Sequence, residues 1–306
     1  MNALRVQPDV EAALAQGRPI VALESAVITC GLPEPHNIAV AERMVSAVRD
    51  EGAVPAMTGV LDGRLRVGLD AGDIARLAEA GRGRKVAARD LGRAIAFGAT
   101  AGTTVAATLV ACRMVPRGPI RVMATGGIGG VHRGWQKRLD ISGDLGELAA
   151  SPVAVVCSGP KAVLDVAATY EALEALGVPV MAVGTSLAPS FYCRPSEPLG
   201  PDRRVETAAE AAAVCRTHWD LTLPARGVLV ANPVPADQAV DRETVELALA
   251  EFETREGNLG AARTPALLEV VNTATAGRAM EANLALLIAN ATLAGKIAVA
   301  LAQPAD

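Results

Sequence analysis

A mixed, largely parallel α/β sheet flanked by helices on both faces is the fold this sequence predicts, with a helical C-terminal part. Three observations lead there. Short apolar runs such as Val21-Ala22-Leu23 and Val153-Ala154-Val155-Val156-Cys157 recur without polar alternation, which is the pattern of strands buried on both faces. Segments of helical periodicity separate them, which favours βα units over a meander of hairpins. The chain is 51% hydrophobic but only 2% aromatic, so its core is built from Ala, Val, Leu and Ile, side chains that suit close packing of helix on sheet.

A chain of 306 residues can bury a large core, and no Ser-, Pro- or Gly-rich linker is long enough to divide it. One domain spanning residues 1–306 is expected. The formal net charge of -4 argues against a broad nucleic-acid or anionic-membrane surface. Cys30, Cys112, Cys157, Cys193 and Cys215 are widely spaced and form no CxxC pair, so they read as reduced thiols, mostly in the core. With His36, His132 and His218 alone, a multi-histidine metal centre is not expected. The N-terminus lacks the apolar core of a signal peptide, and no uncharged run reaches the roughly 18 apolar residues of a membrane span. A cytoplasmic protein without a membrane or nucleic-acid partner is expected.

In chain order, residues 8–16 read as a short helix with Asp9 as cap and Gly17 as stop. Pro19 to Leu23 is a buried strand ending at Glu24. A helix over 38–51 follows, then strands 54–61 and 64–67 joined by Asp62-Gly63, the clearest hairpin signal. A helix at 73–80 and a strand near 84–88 carrying Lys85 come next. Thr103 or Thr104 caps a helix reaching Met114, whose positive end is open to an anion. Strands at 120–124, 153–157, 178–183 and 227–231 alternate with helices at 162–176 and 206–215. Helices over 241–257, 264–273 and 278–302 finish the chain.

The richest stretch is Arg121 to Leu148. Its strand runs into Thr125-Gly126-Gly127-Ile128-Gly129-Gly130, a loop where side chains would obstruct and where amides can point at one anion. The spacing is neither that of a Rossmann turn nor that of a Walker A loop. His132 and Arg133 follow, then Asp140 and Asp144, with Ser142 or Asp144 as a helix cap.

Ligands of open α/β sheets sit outside the carboxyl ends of the strands, so Glu24, Thr125 to Gly130, Ser158 to Lys161 and Asn232 are expected to converge on one rim. Lys161, at the entry of the 162–176 helix and near a cation such as Lys85, would have its charged form disfavoured, as an imine-forming nucleophile requires. Glu24 can act as general acid or base. Asp140 and Asp144 can offer oxygen to Mg²⁺ or Mn²⁺, or can cap a helix.

The motifs VALES (21–25), GLP (31–33), RDL (89–91), TTVA (103–106), ATGGIGGVHRG (124–134), DIS-x-DL (140–145), VVC-x-G-x-K (155–161), NP-x-P (232–235) and Thr264-Pro265 together resemble the pseudouridine-5'-phosphate glycosidases, a group that includes proteins named for indigoidine biosynthesis. The resemblance runs from about residue 5 to residue 300. It implies reversible cleavage of the C–C glycosidic bond of pseudouridine 5'-phosphate to uracil and ribose 5-phosphate, one Mn²⁺ per subunit and a homotrimer. It further implies Lys161 as the nucleophile, Glu24 as the proton donor and Asp140 as the metal ligand. Lys85, Val105, Ser142, Gly143, Asp144 and Asn283 become substrate-binding positions, with His132, Thr125, Gly126 and Gly127 in the same pocket. Cys30, Ser186 and the Gly260 to Arg263 stretch depart from the pattern of many relatives. A related lyase or synthase acting on another phosphosugar adduct, and a non-catalytic phosphosugar-binding module, are the rival expectations.

Overall fold

The computed structural model of the chain describes residues 3–137, 139–195, 198–222, 225–255 and 263–303, so Gly260 to Ala262 lie outside the described residues. The chain opens with β1 (Leu4–Val6), α1 (Pro8–Ala15) and β2 (Ile20–Leu23), and a π-helical turn at Val27–Gly31 leads into α2 (His36–Asp50). The hairpin β3 (Val54–Leu61) and β4 (Arg64–Val67) precedes α3 (Ala71–Ala80), β5 (Lys85–Val86), α4 (Leu91–Ala96) and β6 (Ala101–Thr103). Next come α5 (Val105–Met114), β7 (Val122–Ala124), α6 (Gly143–Ala150), β8 (Ala154–Cys157) and α7 (Val166–Ala175). β9 (Val180–Val183), β10 (Arg204–Val205), α8 (Ala208–Leu221) and β11 (Val228–Ala231) complete the alternating part. α9 (Arg242–Arg255), α10 (Arg263–Ala274) and α11 (Arg278–Ala302) form the helical C-terminal part.

Among the described residues one sheet runs in the order β1-β4-β3-β2-β7-β8-β11-β9-β10, with β5 and β6 branching from β3. β3 pairs antiparallel with β4 and β6, and the remaining pairs are parallel. The hairpin turn is the one Asp62-Gly63 promises, with φ of 49° and 69°, the left-handed pair that matches strand twist.

The absence of alternation in the strands has a direct cause, because successive side chains enter two different cores. Val21, Leu23, Val122, Ala124 and Val156 pack with Met44 of α2 and with Leu286 and Ala294 of α11. Ala22, Met123, Val155 and Cys157 pack on the opposite face with Leu109 of α5, Leu148 of α6 and Leu173 of α7. Helices therefore cover both faces. α11 is long and apolar enough to cross a membrane by length and composition, yet it lies against β2, β7, β8, α2 and α8, where it presents Ala282, Leu286, Asn290, Ala294 and Ala298 as one buried ridge.

Several expected helix starts move, and two of the shifts matter here. Pro8 stands first in α1 with Gln7 before it, so Asp9 is not the cap; proline's fixed φ and missing N–H suit that first position. The helix expected from Ala162 begins only at Val166, with consequences for Lys161 described below.

Candidate active site

β2, β7 and β8 are neighbours and parallel, so their carboxyl ends share one rim. A cavity of about 520 Å³ opens there, and Glu24, Lys85, Val105, Thr125, Gly126, Gly127, His132, Asp140, Ser142, Gly143, Asp144, Lys161 and Asn283 all line it. The site residues that the family resemblance implies thus reach one chamber. Ser158 and Asn232, expected at the same rim, do not line it, and neither does Arg133. Asn232 turns to Asn290, and Arg133 makes a bidentate pair with Glu246 of α9 at 2.6 and 2.9 Å.

Glu24 leaves the end of β2 and is 8% exposed. Its Oε2 accepts from the Val27 amide at 3.2 Å, and its Oε1 accepts from the Thr125 hydroxyl at 3.5 Å. Burial raises its pKa, while Lys161 and the backbone bonds pull the other way. Because burial dominates, the carboxyl holds its proton more tightly than a free glutamate and is suited to donate it in a dry site. Lys85, on β5, is shifted in the opposite direction: burial, and then the neighbouring charge of Lys161, lower its pKa.

The glycine loop is a packed scaffold more than an open anion cradle. The amides of Thr125, Ile128, Gly129 and Val131 are taken by Val156 O, Gly159 O, Asp144 Oδ2 and Thr169 Oγ1. A Cβ at Gly129 would collide with the Ser142 hydroxyl and meet Asp144 Oδ2 at 2.9 Å, so only glycine lets the loop approach α6. Asp144, 7% exposed, joins two elements: its Oδ1 accepts from Ala106 N in α5 at 2.9 Å and its Oδ2 from Gly129 N at 2.8 Å. Ser142 caps α6 by accepting from Asp144 N at 3.2 Å. The first turns of α5 and α6 both border the cavity, with Val105, Ala106, Gly143 and Asp144 in its wall. Two helix N-termini beside Lys85 make that end of the chamber attractive to an anion.

Lys161 is not at the head of a helix. Asp165 is the cap of α7, its side chain accepting from Ala168 N at 3.0 Å, and residues 158–165 run as a loop zipped to the glycine loop. Ile128 N donates to Gly159 O at 3.1 Å, Lys161 N to Ile128 O at 3.1 Å and Asp165 N to Val131 O at 3.0 Å. This pairing supersedes helix formation in 162–165 and holds Lys161 through its backbone, so the expected influence of a helix N-terminus does not apply.

Several wall residues carried no site signal in the sequence. Phe191, with φ of 58°, and Leu268 and Leu287 line the apolar side, and Cys30 lies in the wall near Glu24, while the other cysteines are buried. Burial pushes the Cys112 and Cys157 thiols up to about 12. Ser186 does not line the cavity. Asn290, entirely buried, lies behind the rim.

Among the described residues no three His, Cys, Asp or Glu side chains gather to hold a metal ion. Asp140 lines the chamber as a half-buried carboxylate. That donor set fits a hard divalent ion that keeps most of its water and shares a bound phosphate, as Mg²⁺ and Mn²⁺ do, and does not fit an all-protein cage.

A lysine and a buried carboxyl facing one chamber, with two helix N-termini at its side and a parallel sheet behind it, define an α/β enzyme acting on a small anionic molecule. The chain belongs to the family described as indigoidine synthase A like protein, whose family model matches residues 9–300. It is 47% identical over 306 residues to the pseudouridine-5'-phosphate glycosidase of Myxococcus xanthus, covering 98% of this chain and 99% of that protein. The pseudouridine-5'-phosphate glycosidase of Paracoccus denitrificans is 46% identical, with 98% of each covered. Two crystal structures share the fold. The prealnumycin C-glycosynthase AlnA in complex with ribulose 5-phosphate superposes with a TM-score of 0.88 at 37% identity, covering 99% of this chain and 98% of the other. An indigoidine synthase A-like protein from Thermotoga maritima gives 0.87 at 33%, covering 98% and 97%.

Proposed function

We propose that the protein reversibly cleaves the C–C glycosidic bond of pseudouridine 5'-phosphate, giving uracil and ribose 5-phosphate. The observation that carries this is the match, nearly end to end, to relatives that bear that activity in their names. The cavity supports it, offering an amine, a tightly held proton and an anion-attracting end within one wall.

A C-glycoside has no leaving-group oxygen at the bond to be broken, so the paired carboxylates of ordinary glycosidases are insufficient. Lys161 Nζ bonds to C1′ as the C1′–O4′ bond breaks, and Glu24 gives its proton to O4′. The nitrogen returns one proton to the Glu24 carboxylate, and its lone pair then forms the C1′=N bond while the electrons of the C1′–C5 bond pass to C5 of uracil, which takes up that proton. Water adds at C1′ and releases ribose 5-phosphate and the free amine. Lys85, Val105, Ser142 and Gly143 hold the phosphate end, and His132, Asn283 and Thr125 to Gly127 border the base and sugar. Burial of Glu24 supports its role as donor.

Asp140 would hold a divalent ion such as Mn²⁺, which when bound would supply positive charge beside the substrate. Asp140→Ala should raise the Mn²⁺ concentration needed for half-maximal rate by on the order of 100-fold or more, above the loss typical of an outer-sphere change; an unchanged metal titration would remove Asp140 from this role. A homotrimer in the cytoplasm belongs to the same proposal and rests on the family resemblance.

The C-glycosynthase neighbour favours one alternative, a synthase joining a phosphosugar to another carbon acceptor. Incubation with Mn²⁺ and ribose 5-phosphate, borohydride reduction and mass analysis should find an adduct on Lys161, and added uracil should yield pseudouridine 5'-phosphate. An adduct without uracil coupling would favour the synthase. Neither adduct nor turnover would leave a binding module.

A further inference from the structure

We propose that Asn290 is a positioning residue that sets the placement of Glu24 relative to Lys161; the inference rests on the activity proposed above. Asn290 lies on α11, seven residues and thus about two turns beyond Asn283 on the same helix face. Asn283 borders the chamber, whereas Asn290 is fully buried behind it. An amide inside an apolar helix ridge is costly unless each polar atom finds a partner.

All of its polar atoms do, and the partners are the ends of three neighbouring strands. Nδ2 donates to Thr125 O at 2.9 Å and lies 3.4 Å from Gly126 O, both just past β7. It also donates to Ser158 Oγ at 3.1 Å, just past β8. Oδ1 accepts from Asn232 Nδ2 at 3.0 Å, just past β11. The side-chain orientation follows from this network, since two carbonyl oxygens require the amide nitrogen.

The partners lead directly to the chemistry. Thr125 donates its hydroxyl to Glu24. Ser158 is three residues before Lys161, and its own amide donates to Gly126 O at 2.8 Å. One side chain therefore fixes both the loop that supports the acid and the loop that carries the amine. Backbone bonds also join the two loops, from Ser158 N to Gly126 O at 2.8 Å and from Ile128 N to Gly159 O at 3.1 Å, and Asn290 adds the side-chain link that ties both to Asn232 past β11. Asn290 does not line the cavity and acts through the two loops.

The test uses Asn290→Leu, which keeps the number and branching of the side-chain heavy atoms and removes every side-chain hydrogen bond. Its kcat with pseudouridine 5'-phosphate should fall about 100-fold, the cost of a misplacement on the order of 1 Å, while KM stays within about threefold because the phosphate end is untouched. The rate of borohydride-trapped adduct formation on Lys161 should fall in step. A folded Asn290→Leu protein with wild-type kcat would overturn the role, as would a rise in KM with kcat unchanged. Should that variant fail to fold, Ser158→Ala removes one spoke only and should lower kcat about fivefold at constant KM, one hydrogen bond's worth; unchanged kcat there overturns the proposal as well. Wild-type turnover is measured first: its absence sinks the activity reading, whereas active wild type beside an equally active variant sinks only the positioning role.

Discussion

The chamber has two walls of different origin. One is made of strand ends: Glu24, Thr125 and Lys161 leave β2, β7 and β8 within a few residues of the last ladder bond. The other is made of side chains from distant elements, with Phe191, Leu268, Asn283 and Leu287 supplied by a long loop, α10 and α11. The first wall carries the proposed acid and amine, and the second is mostly apolar and amide surface. A sheet rim places charged groups reproducibly because each is anchored on one side by a parallel ladder. A helix laid across the rim shapes the remaining space and, through Asn290, ties the strand ends together.

The sharpest way to test the division is to remove the amine from the strand-end wall. Lys161→Ala should abolish turnover, by about four orders of magnitude or more as when other covalent nucleophiles are deleted, with thermal unfolding close to wild type. Its backbone bond to Ile128 O is kept, which is why the loop survives the substitution. Wild-type-like activity would end the covalent scheme. Asp144→Ala is expected to act in the opposite sense, on stability. It strips the acceptor from the amides of Ala106 and Gly129, and at roughly 1–3 kcal/mol for each unsatisfied buried group the fold should lose about 3 kcal/mol in denaturant unfolding. A change under about 0.5 kcal/mol would mean that solvent replaces the carboxylate, and the loop is then not clamped as described.

The pH dependence of Glu24 separates the walls further. Its folded pKa is raised above 4.5, so its contribution to stability is fully present below pH 4.5 and declines as pH rises through the raised value. Glu24→Gln cannot ionise, so its stability relative to wild type should improve steadily from pH 4.5 toward neutrality. Parallel stability curves for the two proteins would show that the carboxyl is not held protonated by burial.

These two walls also differ in how far they could be read in advance. Strand ends were legible because an apolar run followed by Glu, by Gly-Gly or by Ser-Gly-Pro-Lys is a local pattern, and the rule placing ligands at carboxyl ends joins such patterns into a site. The start of α7 departs from the expected position for a related reason. Pro160 followed by Ala162-Val163-Leu164 has the look of a first helical turn, but bridges from Ile128 to Pro160 and from His132 to Leu164 hold that segment, and Asp165 offers the stronger cap. The free amides expected in the glycine loop were likewise consumed by partners such as Asp144, close in sequence, and Thr169, in the next helix. Asn290 had no local signature at all. It is one polar residue in an apolar helix, and its meaning comes from positions 125, 126, 158 and 232, which no spacing rule connects.

The smallest expected effect tests whether the strand-end wall depends on its caps as well as on its ladders. Ser142 Oγ accepts from Asp144 N at 3.2 Å as the cap of α6, and Ser142 N donates to Gly130 O at 2.9 Å. Ser142→Ala deletes the first bond and retains the second, because the backbone is unchanged. The loss should be about 1 kcal/mol, typical of an N-cap hydroxyl, and it should add to the Asp144→Ala loss only in part, since the residues share a hydrogen bond. A double variant whose destabilisation equals the sum of the two single losses within about 0.3 kcal/mol would show the cap and the clamp to be independent. In that case the glycine loop is fixed by Asp144 alone, and α6 only presents that carboxylate to it.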